Sequence, residues 1–431
     1  MPHPHIWHPF SPTRGTEVQP VARAEGAYLY TPDGRTILDA ISSWWVNLHG
    51  HAHPIIAEAV AQQARTLEQV IFAGFTHAPA ERLVEALHPL LPHGTPTERH
   101  LDHFFFSDDG STALEVAFKL AFQYHHIQGR PKTRLLAFEG AYHGDTFGAM
   151  AAGAPSSLHT PFEHLFFQVT HLPIPTSPDG QPTLQALEAL PADQLTEVAA
   201  FVYEPLVQGA GGMRMMNPAG LSAVLRWLDD RNIFRIADEV MTGFGRTGTL
   251  FASEQVQPAP DMICLSKGLT GGFLPLSLTV VTPEVFRAFD STDRSRAFLH
   301  GHSFTANPLA CAAANASLEL LQHIDCQLAI ARIGEQQVAA VSRFLGLPGV
   351  AAARTLGTIL AVELHAPDSG YLSELGPQLY ERFLARDLLI RPLGNVVYLL
   401  PPYCVTNAEL ERCYAAVEAV LSEVVDSARV S

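Results

Sequence analysis

Hydrophobic and polar positions change period several times along this chain, and the changes mark its elements. From Gly26 to Ala40 (GAYLYTPDGRTILDA) apolar and polar residues alternate on either side of Pro32-Asp33-Gly34, the pattern of a β-hairpin. A helical period begins near Ile55 and runs to about Leu67. From Phe104 onward short apolar runs alternate with amphipathic stretches: FFFS (104–107), a helix over 111–127, RLLAF (134–138), AAFVYEP (199–205), a helix over 219–230, IFRIADE (233–239), MICLSK (262–267) and LSLTVV (276–281). That rhythm predicts an α/β fold with a largely parallel sheet covered by helices on both faces. After Asn307 an Ala-rich helix over 309–321 leads into strands near 358–364 and 396–400, which reads as a second, smaller α+β lobe. The N-terminal hairpin has no place in a parallel sheet and is expected to join that lobe. The large domain then lies between the two chain ends, with expected boundaries of 1–60, 61–310 and 311–431. Pro173 to Pro182 is expected to form a surface loop.

Composition narrows the partners. A chain of 431 residues with 47% hydrophobic content can bury a large core and a satellite lobe. Its 27 Lys+Arg against 43 Asp+Glu give a net charge of −16, and no basic run tracks a phosphate backbone, which argues against nucleic acid. The first ten residues, MPHPHIWHPF, lack the basic and apolar regions of a signal peptide. No later stretch supplies about 18 uninterrupted apolar residues, so a cytoplasmic protein without membrane contact is expected. Five dispersed cysteines with no CxxC read as reduced core thiols. His3, His5 and His8 lie in a Pro-interrupted start, and no metal site is expected there.

In open α/β sheets ligands sit beyond the carboxyl ends of the strands, and three such ends carry unusual polar residues. FFFSDDGST places Gly110, Ser111 and Thr112 at a strand-to-helix junction, where N–H groups and the positive helix end suit a phosphate; alone, it also reads as an ordinary capped helix. IFRIADE ends on Asp238 and Glu239, a costly place for a carboxylate without a charged partner. MICLSKGLTGG ends a strand on Lys267. Asp238 and Lys267 each read more readily, taken singly, as half of a structural ion pair. Together the three ends match what pyridoxal phosphate requires: an amine for the aldehyde, an acid for the pyridine nitrogen and a cradle for the phosphate. The same amine can carry a proton to and from a substrate carbon. Gly243 to Gly248 (GFGRTG) fits the GxGxxG dinucleotide pattern, but Pro258 and Pro260 leave no room for the helix that pattern needs. That segment is expected to be a close-packed corner near the cofactor.

Longer pieces of the chain resemble the class III aminotransferases of fold type I over roughly residues 20–425. They are AYHGDTFGAM (141–150), EPLVQGAGGM (204–213), ADEVMTGFGRTGTLFA (237–252), SKGLTGGFLPLS (266–277) and HGHSFTANPLACAAA (300–314). The resemblance implies a PLP-dependent transferase fold with a mostly parallel seven-stranded sheet in the large domain. Within that class, IWHPF (6–10), AISSWWVNLHGHAHP (40–54), FTHAPAERL (75–83) and IRPLGNVVYLLPPY (390–403) resemble the branch that aminates 8-amino-7-oxononanoate to 7,8-diaminononanoate in biotin biosynthesis. It implies ping-pong transfer from S-adenosylmethionine, with lysine as the alternative donor.

The resemblance also implies roles. Lys267 would bond the cofactor, Asp238 would hold its ring nitrogen, Gly110 and Ser111 its phosphate, and Tyr142 would stack on its ring. Gly301, His302 and Ser303 would reach the site of a neighbouring subunit, which implies a homodimer. Phe10, Trp44 and Tyr398 would line the substrate site, and Arg391 would hold the keto acid's carboxylate. Phe10 stands where the family usually has Tyr, and His302 where Pro is common. Other class III activities, on ω-amino acids, ornithine or γ-aminobutyrate, or an aminomutase, remain alternatives. Several of those relatives place an acid after Gln-Gly, whereas this chain reads Gln208-Gly209-Ala210. A non-catalytic binding protein of the same fold is a third reading, which the intact lysine, aspartate and phosphate loop oppose.

Overall fold

The computed structural model describes the chain except residues 1, 2, 4, 16, 94–99, 155–158, 367–372 and 431. At its centre is a seven-stranded sheet in the spatial order His103–Ser107, Ser277–Val281, Met262–Leu265, Phe234–Asp238, Val198–Tyr203, Arg134–Phe138, Val169–Leu172. Ser277–Val281 runs antiparallel to both neighbours, and the other pairs are parallel. The apolar runs read from the sequence supply six of these strands. The seventh, Val169–Leu172 (VTHL), is a short edge strand with three half-buried residues, so no apolar run announces it.

Successive residues of the inner strands bury into two separate cores, which is why those strands read as continuous apolar runs. Leu135, Ala200, Val202 and Ile236 pack with Ala113, Ala117 and Phe118 of the helix Gly110–Ile127. Leu136, Phe201, Tyr203 and Ala237 face the opposite layer with Leu221, Leu225 and Leu228 of the helix Pro218–Asp229. The helical period near Ile55 becomes the helix Pro54–Ala64, opened by a proline at its first position. Residues 173–182 connect the edge strand to the helix Thr183–Glu188, with Ile174 anchoring them in the core.

The hairpin strands Tyr28–Tyr30 and Thr36–Asp39 pair antiparallel, extended by Arg23–Glu25. Thr36–Asp39 then pairs in parallel with Leu388–Leu389, so the two ends of the chain share one sheet. A second antiparallel sheet joins Val350–Leu356, Ile359–Leu364 and Val396–Leu399. Among the described residues no helix is long and apolar enough to cross a membrane. Cys264, Cys311 and Cys413 are buried as expected, but Cys326 is half-buried and Cys404 is exposed, because it sits in the loop after Pro401-Pro402-Tyr403 rather than inside an element.

The GFGRTG segment opens no helix. Gly245 has φ +96°, and a Cβ there would lie 2.7 Å from Ile330 Cδ1. The fully buried Arg246 ties the corner to three backbone carbonyls: Pro401 at 2.8 Å, and Trp45 and Asn47 at 3.4 Å each.

A buried ion pair fixes the two central strands. Arg235 Nε and Nη2 grip the Asp261 carboxylate at 2.9 and 3.1 Å, and the Arg235 N–H donates to the same carboxylate at 2.8 Å. Both residues have no exposed surface. Asp261→Ala leaves the buried guanidinium with only the half-exposed Asp229 carboxylate, 3.0 Å from Nη1, and the expected cost is about 3 kcal/mol of unfolding free energy, measured from the denaturation midpoint. A loss below about 1 kcal/mol would show that the pair does not hold the strands together.

Candidate functional site

Parallel pairing of the strands Phe234–Asp238 and Met262–Leu265 sets Asp238 opposite Cys264, three residues before Lys267. Asp238 is buried at its strand end, with Oδ1 accepting from the Val240 N–H at 3.1 Å and Oδ2 lying 2.7 Å from His143 Nδ1. Lys267 is one of three lysines in the chain and adopts a left-handed φ of 47°, a strained conformation for a side chain with Cβ. Its Nζ lies 4.5 Å from the centre of the Trp45 ring. Some of its surface faces a cavity of about 1070 Å³, but protein surrounds it otherwise, and this burial lowers its pKa to about 8. Asp238 and Glu204 oppose that shift.

Glu204 is a second buried acid on the cavity wall. Its Oε1 accepts the Tyr142 N–H at 3.1 Å and its Oε2 the Gly209 N–H at 2.7 Å, so one carboxylate joins two loops. Burial pushes its pKa up to about 7, with the charge of Asp238 adding to the rise and His143 opposing it. The Tyr142 hydroxyl donates to Asp145 at 2.9 Å. Opposite, residues 41–46 make a tight turn with positive φ at Ser42, Ser43 and Trp45. Asp39 holds it, accepting from the Ile41 and Ser43 N–H groups at 3.1 and 2.6 Å. This strained turn presents Trp44 and Trp45 to the cavity.

The helix Gly110–Ile127 starts at the cavity, capped by Asp109, whose side chain accepts the Thr112 N–H at 2.9 Å. That bond occupies Thr112, one of the three residues expected to meet a phosphate, and leaves the first-turn N–H groups of Gly110 and Ser111 without a side-chain cap. The loop of Gly144 closes over them: a Cβ at Gly144 would lie 2.0 Å from Ser111 Oγ. An amine, a buried carboxylate and an open helix N-terminus therefore converge on one cavity, and this set fits a phosphorylated pyridine aldehyde.

The other expected residues divide into two groups. Phe10 and Trp44 line the cavity, with ring centres 5.3 Å apart, and Arg391 stacks over Trp44 at 5.3 Å while Nη2 donates to the Phe10 carbonyl at 3.3 Å. Tyr398 stands behind the lining, where its hydroxyl accepts from Trp45 Nε1 at 2.9 Å. Gly301, His302 and Ser303 lie outside the cavity of their own chain, with the Ser303 carbonyl accepting from Gln69 at 2.8 Å. Sequence reasoning missed His143, Glu204 and Trp45. All three lie inside quoted segments, but nothing in the sequence says which neighbour each would face. Glu239 was expected to need a charged partner; instead Thr242 and the N–H groups of Ala252 and Ser253 satisfy it.

The family model for class III aminotransferases matches residues 11–421. The adenosylmethionine-8-amino-7-oxononanoate aminotransferase of Synechococcus elongatus is 49% identical over 98% of this chain and 99% of its own. The crystal structure of the enzyme of that name from Methanocaldococcus jannaschii superposes with a TM-score of 0.89 at 31% identity, covering 97% of both chains. An amine transaminase from an uncultivated Pseudomonas species, in PLP-bound form, gives a TM-score of 0.87 at 28% identity, covering 97% of this chain and 98% of that one.

In the cofactor-free protein, labelling of Lys267 by a small aldehyde with a mild reductant, read by mass spectrometry, is expected to rise with a midpoint near pH 8. The sign follows from burial disfavouring the charged amine, so neutral nucleophile accumulates below the ordinary 10.5. A midpoint at the ordinary value would remove the case for a desolvated amine.

Proposed function

Since this chain belongs to the class III aminotransferases and is a PLP-dependent transaminase, we propose that it aminates 8-amino-7-oxononanoate to 7,8-diaminononanoate with S-adenosylmethionine as donor. The observation that carries the substrate assignment is the 49% identity, across nearly the whole of both chains, to a relative of that name. When bound, pyridoxal phosphate supplies the electron sink that makes the substrate's reacting C–H acidic.

In this reading Lys267 would hold the cofactor, and its amine, beside Trp45, would move the proton at the substrate's reacting carbon. Asp238 keeps the pyridine nitrogen protonated, and His143 fixes its carboxylate. Gly110 and Ser111 take the phosphate through the helix N-terminus. Tyr142, held from behind by Glu204, covers the ring. Phe10 and Trp44 form the apolar mouth, where aromatic faces suit a sulfonium and an adenine, and Tyr398 steadies Trp45. Arg391 holds the keto acid's carboxylate. Gly301, His302 and Ser303 complete the site of a second subunit, so the working unit is a cytoplasmic homodimer.

Two half-reactions test this. Holoenzyme mixed with S-adenosylmethionine is expected to lose its visible cofactor absorbance and to regain it with 8-amino-7-oxononanoate. Bleaching by lysine but not by S-adenosylmethionine would replace the donor, and no recovery with the keto acid would replace the acceptor. Arg391→Ala is expected to lower kcat/KM of the keto-acid half roughly 10- to 100-fold, the value of one charge-assisted pair, and to spare the donor half. Equal losses in stopped-flow traces of both halves would give the arginine a shared role.

A further inference from the structure

One lysine and two arginines line the cavity: Lys267, Arg354 and Arg214. Lys267 is the amine already described. Arg354 is saturated, with Nη1 on Glu363 Oε2 at 2.6 Å and its other nitrogens on the carbonyls of Met213 at 2.8 Å and Gly212 at 2.6 Å. Arg214 differs from both. It gives one long hydrogen bond, from Nη1 to the Glu139 carbonyl at 3.4 Å, and forms no ion pair among the described residues. A guanidinium has five N–H donors, so most of this group's capacity is unspent on the protein.

The seat of that guanidinium is built. Gln208 and Arg214 are paired across the short ribbon of Val207–Gln208 with Arg214–Met215. The ribbon lies against residues 139–140 so closely that a Cβ on Gly211 would come within 2.2 Å of the Gly140 carbonyl. Gly140 has φ +75°, and a Cβ there would be 2.5 Å from Arg214 Nη1, so a side chain at 140 would evict the guanidinium. Two more buried polar atoms, one on the ribbon and one on the cavity wall, are unspent. Gln208 gives Nε2 to the Glu139 carbonyl at 2.9 Å, but its buried Oε1 has no partner. His159, 8% exposed, lines the same cavity, and its buried Nδ1 has no partner.

Arg391 occupies a different place, beside Phe10 and Trp44 and outside the lining. Arg214 in the lining and Arg391 beside the lining residues Phe10 and Trp44 thus stand at separate positions. A ping-pong transaminase admits two substrates in turn, and under the function proposed above both carry a carboxylate. We propose that Arg214 is a second carboxylate seat of the cavity, holding the carboxylate of whichever substrate Arg391 does not hold. A planar fork with unused donors and no ion pair among the described residues matches a carboxylate in geometry and charge.

The test measures both half-reactions of holoenzyme carrying Arg214→Met or Arg214→Lys, beside Arg391→Ala. Arg214→Met is expected to lower kcat/KM roughly 10- to 100-fold, mainly through KM, in the one half that Arg391→Ala spares. Arg214→Lys should recover part of the loss, since it keeps the charge but not the fork. Methyl esters of the two substrates give a readout that a merely structural residue would not move. In that same half, wild type should prefer the free acid to the ester, Arg214→Met should lose the preference, and Arg214→Lys should keep only part of it. Unchanged kinetics, equal losses in both halves, a loss in the half that Arg391 already serves, or an undiminished acid preference would each overturn the seat. Should Arg214→Met fail to fold or to hold cofactor, Arg214→Lys and the ester comparison decide. Wild-type holoenzyme inert toward both substrates would instead overturn the functional reading, and the seat with it.

Discussion

The geometry of the site depends on the buried grip of Arg235 on Asp261. Arg235 lies in the strand that ends on Asp238, and Asp261 immediately precedes the strand that leads to Lys267. Two side-chain contacts and a backbone hydrogen bond to one carboxylate fix the register of these strands at their entry ends. Because side chains alternate between faces, a slip of one residue would turn Asp238 from the cavity towards the opposite core. A charge pair in so dry a place contributes little net stability compared with apolar packing, and what it secures is this registration.

The buried acids at the carboxyl ends of the strands follow a consistent rule. Asp238, Glu204 and Glu239 lie at or near strand ends, and none is neutralised by a lysine or arginine ion pair among the described residues. Backbone N–H groups, a histidine and a threonine hold them instead. Burial raises Glu204 and Glu239 towards their neutral forms, and the same low polarity lowers Lys267. One desolvated environment thus favours the neutral forms of Lys267, Glu204 and Glu239 together. Strain accompanies it: the left-handed residues at 42, 43, 45 and 267 cluster around the cavity, where close packing holds them in conformations they would otherwise leave.

The sequence by itself determined the layering and the chemistry at the strand ends. Apolar runs of four to seven residues between amphipathic helices have few ways to bury both faces except as an inner parallel sheet, so RLLAF, AAFVYEP, IFRIADE and MICLSK were legible as strands. A carboxylate and an amine closing two such runs were conspicuous because local polarity contradicts local burial. Tertiary structure alone decided the rest. The edge strand VTHL carries no apolar signal, because an edge strand needs little burial. The partnerships of His143 with Asp238, 95 residues apart, and of Glu204 with Tyr142, 62 apart, belong to no periodicity. Arg214 kept its donors because of distances set by packing between loops. Period and composition encode what each residue does to its immediate neighbours; which distant group it meets is fixed only when the sheet order and register are chosen.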